Sequence, residues 1–166
     1  MSGTMEPDAF IAQMQSNLSS MVFTAPLTVI ADDLRKTHQG YFDTQTAPNG
    51  VAWAPLAPAT IKRRFSRDMG GNPRGGISAG FTPDETILID TGAMKSSTVF
   101  KGNRDHVETI GPALLEWGTK DEKAAIHQFG AGKIPARPFV GWNEPAINSA
   151  TEHIADAAVT QLLIGL

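Results

Sequence analysis

Residues 26–43 read Pro-Leu-Thr-Val-Ile-Ala-Asp-Asp-Leu-Arg-Lys-Thr-His-Gln-Gly-Tyr-Phe-Asp. Leu27, Ile30, Ala31, Leu34, His38 and Tyr41 recur at the i, i+3, i+4, i+7 spacing of one helix face. Asp32, Asp33, Arg35 and Lys36 fall on the opposite, wet face. Pro26 suits a first turn, where the N–H it lacks has no partner in any case. The pattern predicts a long helix over 26–43, ended by Thr44–Gly50 with its Pro48-Asn49-Gly50 turn signature.

Upstream, Phe10, Met14 and Leu18 sit four apart, enough for one short amphipathic helix inside an N-terminal arm, residues 1–25. Downstream, Val51–Pro58 reads as an extended segment with Trp53 and Leu56 turned inward. A short helix over Pro58–Arg67 follows, with Ile61 and Phe65 on one face. Gly70–Gly80 carries five glycines and reads as a loop. Thr86–Asp90, Lys95–Lys101 and His106–Ile110 are β-branched or alternating, which predicts two or three strands of an antiparallel sheet. Lys120–Phe129 predicts a short helix stopped by Gly130, and Phe139–Trp142 a last short strand. Asn143 is a good N-cap, and Ile147, Ala150, Ile154, Ala158 and Leu162 mark the face of a C-terminal helix. The expected fold class is α+β: a small antiparallel sheet flanked by a long helix in the N-terminal half and a C-terminal helix. Residues 26–166 form a single expected domain.

Composition narrows the chemistry. The chain has 166 residues and no cysteine, which removes disulfide scaffolds, thiolate zinc sites, iron–sulfur clusters and cysteine nucleophiles. Charged residues make up 19%, below the usual quarter, and the net charge is −3, so no global field draws nucleic acid. No apolar run reaches eighteen residues, so no membrane partner is expected, and the first ten residues lack the basic and apolar regions of a signal peptide. His38, His106, His127 and His153 show no metal spacing, so neither a metal nor any other cofactor is expected. Lys62, Arg63, Arg64, Arg67 and Arg74 form a local basic stretch. It suits an acidic face of a partner better than nucleic acid, given the net negative charge. Gly70–Ile77 lacks the Gly-Lys-Ser/Thr ending of a phosphate loop.

Ile87-Leu88-Ile89-Asp90-Thr91-Gly92-Ala93 matches the active-site signature of retroviral-type aspartic proteases. That chemistry needs two carboxylates sharing one proton, supplied here only by a dimer that pairs two copies of Asp90. The alternative is a structural turn at Asp90, Thr91 and Gly92. The flanking helical periodicity favours the turn.

His127-Gln128-Phe129-Gly130, followed by Ile134-Pro135-Ala136-Arg137-Pro138-Phe139-Val140-Gly141, is the densest unusual segment. Together with Pro48, Gly50, Trp53, Pro55 and Leu56, then Thr60 and Lys62-Arg63, then Ile89 through Ser97, it resembles the phage virion-morphogenesis or tail-completion family found in Mu-like phages. The order and spacing agree over about residues 26–160; the first 25 residues find no counterpart, and Leu114–Thr119 looks like an insertion or variation. The resemblance implies a non-enzymatic protein at the head-proximal end of the tail, in the virion after assembly in the host cytoplasm. It would terminate the tube or join it to the neck as a ring, six-fold as is usual for tail terminators. Its partners would be further copies of itself, the tail tube protein and a neck or head–tail connector protein, with DNA contact in the lumen. His127, Gln128, Phe129, Gly130, Pro135, Arg137, Pro138 and Phe139 form the expected interface, and Arg63, Arg64, Arg67 and Arg74 the expected basic partner-contacting loop.

Overall fold

The computed structural model describes residues 6–68 and 86–164. In chain order the elements are α1 (Pro7–Ser19), α2 (Thr24–Thr44), α3 (Pro58–Asp68), α4 (Ala93–Val99), β1 (His106–Ile110), β2 (Leu115–Thr119), α5 (Ala124–Phe129) and α6 (Glu144–Leu162). β1 and β2 pair as a two-stranded antiparallel hairpin closed by Gly111 N–H donating to Leu114 O at 2.8 Å, so the fold is α+β. The chain divides into two compact units: Met1–Thr37 with Val107–Gly118 and Trp142–Leu166, and His38–His106 with Thr119–Gly141. The Gly70–Gly80 loop and Arg74 lie outside the described residues.

In the first unit, Ile30, Ala31 and Leu34 of α2 are buried, as the periodicity requires, and so is Ala146 of α6. Asn143 caps α6 by accepting from Ala146 N–H at 2.9 Å. α1 is held against α6 by buried Asn17, whose amide donates to Leu162 O at 2.8 Å and Ile164 O at 2.9 Å. Burial inside this unit extends to charge: Arg35 Nη1 sits 2.5 Å from Glu108 Oε2, whose side chain is 4% exposed.

The second unit is built on Tyr41, Phe42, Ala47, Trp53, Ile87, Leu88, Met94 and Phe139. Phe42 meets the ring of Trp53 edge-on at 5.6 Å and that of Phe139 at 5.7 Å. Such pairs add to area burial because ring edges and faces carry opposite partial charge. The Pro48-Asn49-Gly50 turn forms, with Gly50 at φ +79° and its N–H on Ala47 O.

Three strand expectations fail here. Thr86–Asp90 runs as turns, with Leu88 at φ +61°. Lys95–Val99 lies in α4, because left-handed Gly92 (φ +76°) breaks the extended chain and its carbonyl accepts from Ser96 N–H. Met94, Ser97 and Thr98 are then buried at helical spacing, and both hydroxyls bond Met94 O. Phe139–Trp142 forms no strand, with a bend at Val140, and the backbone groups of Phe139 and Val140 go to the Gln128 side chain instead. Conversely, the apparent insertion Leu114–Thr119 supplies β2.

Candidate functional site

The blocks of the resemblance, spread over more than eighty residues, meet in the second unit. Gln128, at the end of α5, is the clasp: its Oε1 accepts from Phe139 N–H (3.0 Å) and Val140 N–H (3.1 Å), while its Nε2 donates to Val140 O (2.8 Å). Arg137 N–H reaches His127 O at 2.6 Å, fastening the same two stretches a second time. Between them Gly130 adopts φ +77°, and a Cβ there would lie 2.9 Å from Ala136 N and 3.0 Å from Ile134 O. Only glycine meets both demands.

The clasp is tied to the Trp53 block. Trp53 Nε1–H donates to Pro138 O at 2.7 Å, and Arg137 donates through Nε to Ala54 O (2.7 Å) and through Nη2 to Pro55 O (2.8 Å). His38 Nε2 accepts from Gly141 N–H at 3.1 Å, which assigns a buried histidine to the scaffold. Buried backbone polar groups must be satisfied, and side chains here do what a neighbouring strand does in a sheet.

These contacts place the expected site residues in the fold. Arg137 is 4% exposed and Phe139 fully buried, so both hold the turn from inside. Arg64, one of the residues of the expected basic partner-contacting loop, is 5% exposed; it donates to Thr86 O at 2.7 Å and pairs with Asp90 Oδ1 at 3.3 Å. Arg63 is exposed, and Arg67 belongs to α3 by its backbone. Asp90-Thr91-Gly92 forms the turn into α4, with Thr91 Oγ1 accepting from Ala93 N–H at 3.4 Å. Asp90 thus faces a guanidinium of its own chain, where the protease chemistry pairs carboxylate with carboxylate. Phe129 lies at the other extreme: the residue is 78% exposed at the tip of the clasp.

The same blocks line a cleft of about 710 Å³. Arg63, Arg64, Lys123, Lys133 and Arg137 contribute positive charge, against Asp90 and Asp121, with Leu56, Leu88, Met94 and Ile134 supplying apolar wall. His127 also lines it, with Nδ1 buried and without a hydrogen-bond partner. Burial, then the Arg137 guanidinium and Lys123, lower the proton affinity of His127 against the opposing pull of Asp121. Arg137 is itself lowered by burial and by the nearby Arg64. Lys123 and Lys133 escaped sequence reasoning because they stand far from the 62–74 basic run and join it only in space. Among the described residues no three His, Asp or Glu side chains group as a metal site, and no helix is long and apolar enough to cross a membrane.

No match was found among curated proteins or among solved structures. The phage virion morphogenesis family, in contrast, matches over residues 9–160. This span takes in α1 as well as all the blocks above, so most of the segment set apart as an arm has a counterpart. With most of its length matched, the chain belongs to the phage virion morphogenesis family.

Proposed function

We propose that this structural protein closes the tail tube at its head-proximal end or joins the tail to the neck, as a ring of identical subunits. Family membership over residues 9–160 carries the proposal. A ring of head-to-tail contacts needs two unlike, complementary patches on each subunit. Two features support such patches. Phe129 stands exposed on a clasp stiffened by Gln128, Gly130 and Pro135, the kind of rigid aromatic anchor that concentrates binding energy. Phe10, Ile11 and Leu18 are exposed along α1, and the chain is poor in charge, as buried interface cores are. The tail tube protein and a neck or connector protein are the proposed neighbours, with exposed Arg63 available to them or to DNA in the lumen.

The test is a phage lacking this chain, examined by electron microscopy beside the native mass of the purified protein. Unjoined heads and tails, or tails of irregular length, together with a ring-sized particle, are expected. Normal infectious virions in the deletion, or a protein that stays monomeric and is missing from virions, would overturn the proposal.

A further inference from the structure

We propose that the cleft of the second unit receives a short, extended acidic segment of another virion protein, its carboxylates seated against the exposed Arg63, Lys123 and Lys133 side chains. The inference rests on the structural role proposed above and adds the chemistry of one partner.

Three observations converge on it. First, among the described lining residues five cations stand against two carboxylates, and Arg63, Lys123 and Lys133 are exposed, whereas Arg64 and Arg137 are buried on partners of their own chain. An incoming carboxylate makes charge-assisted bonds to the exposed three. Second, His127 brings to the same wall a buried Nδ1 with no partner. Third, the volume of about 710 Å³ lies within the roughly 300–1,000 Å³ that a small ligand or short peptide fills.

The apolar wall at Leu56, Met94 and Ile134 selects a peptide over nucleic acid. Single strands bind on aromatic platforms along a basic track. No Phe, Tyr or Trp is among the described residues lining this cleft.

The experiment is an array of overlapping peptides covering the other proteins of the virion, probed with the full chain and with Arg63→Glu/Lys133→Glu. Both substituted side chains are exposed, and thermal melting checks that the variant folds. Binding concentrated on acidic peptides, reduced at least tenfold by the double reversal and by Lys123→Glu as an independent variant, is expected. Amide shifts on adding the best peptide should centre on Gly92, His127 and Ile134. The absence of bound peptides, binding that ignores both variants, or stronger binding of an oligo-dT strand would overturn the proposal. Native mass of the same variants separates it from the ring itself. A ring that persists while peptide binding is lost supports the proposal, whereas a ring that falls apart makes a second copy the occupant and overturns it.

Discussion

Gln128→Ala removes one side chain and strands three backbone groups. The N–H groups of Phe139 and Val140 lose their acceptor, and Val140 O loses a donor. Phe139 is fully buried, whereas Val140 is half-buried and water reaches part of the site. An unsatisfied buried group costs about 1–3 kcal/mol, and partial hydration trims the sum, so the loss should be roughly 2–4 kcal/mol. At about 2–4 °C for each kcal/mol in a chain of this size, melting falls visibly. Native-state hydrogen exchange is the sharper assay, because the affected amides are themselves the probes. With tenfold in equilibrium for every ~1.4 kcal/mol, protection at Phe139 and Val140 should drop by roughly 30- to 700-fold. Gln128→Glu keeps both accepted bonds but turns an oxygen toward Val140 O, so it loses stability at neutral pH and regains part of it when acid restores a donor. A Gln128→Ala protein within about 0.5 kcal/mol of the parent, with protection at both amides unchanged, refutes the clasp.

Three further outcomes are expected. Phe129→Ser, at a residue 78% exposed, should leave stability within about 0.5 kcal/mol yet weaken self-association in sedimentation, and unaltered assembly would remove Phe129 from the interface. Glu108→Ala leaves Arg35 with only the half-exposed Asp32 as an ion partner and should cost about 1–2 kcal/mol in urea titration; a loss below about 0.5 kcal/mol would show the pair to be incidental. His127 holds its proton less tightly than the usual 6.5, through burial first and Arg137 next, so the unfolded chain takes up protons that the folded chain refuses. Its contribution to stability is complete above about pH 6.5 and shrinks as pH falls below that. Melting between pH 7 and 5.5 should therefore slope less in His127→Gln, and equal slopes would refute the assignment.

Elements with a strong period are legible in side-chain spacing alone. The 26–43 pattern is α2, with Ile30, Ala31, Leu34, His38 and Tyr41 all buried. Asn143 is the cap of α6. Short segments are not legible in this way, because a few β-branched or alternating residues fit either period. Ser97 and Thr98 read as strand residues, yet in α4 their hydroxyls bond the carbonyl of Met94. β2 carries no contrast that separates it from an insertion.

Family membership is written in the order and spacing of the motifs, and the α+β class in helix periodicity; both are properties of the linear chain. The same linear pattern picks out His127–Gly130, Ile134–Gly141 and Asp90–Gly92 as unusual. What those residues do depends on tertiary packing. Phe129 and Phe139 are the same residue type ten positions apart, one 78% exposed and the other fully buried. Arg63 and Arg64 are neighbours, one exposed and one enclosed beside Asp90. Direction is set by where the chain turns at Gly92 and Gly130 and by which backbone groups need partners. Those are properties of the packed chain, since no residue type carries its own orientation.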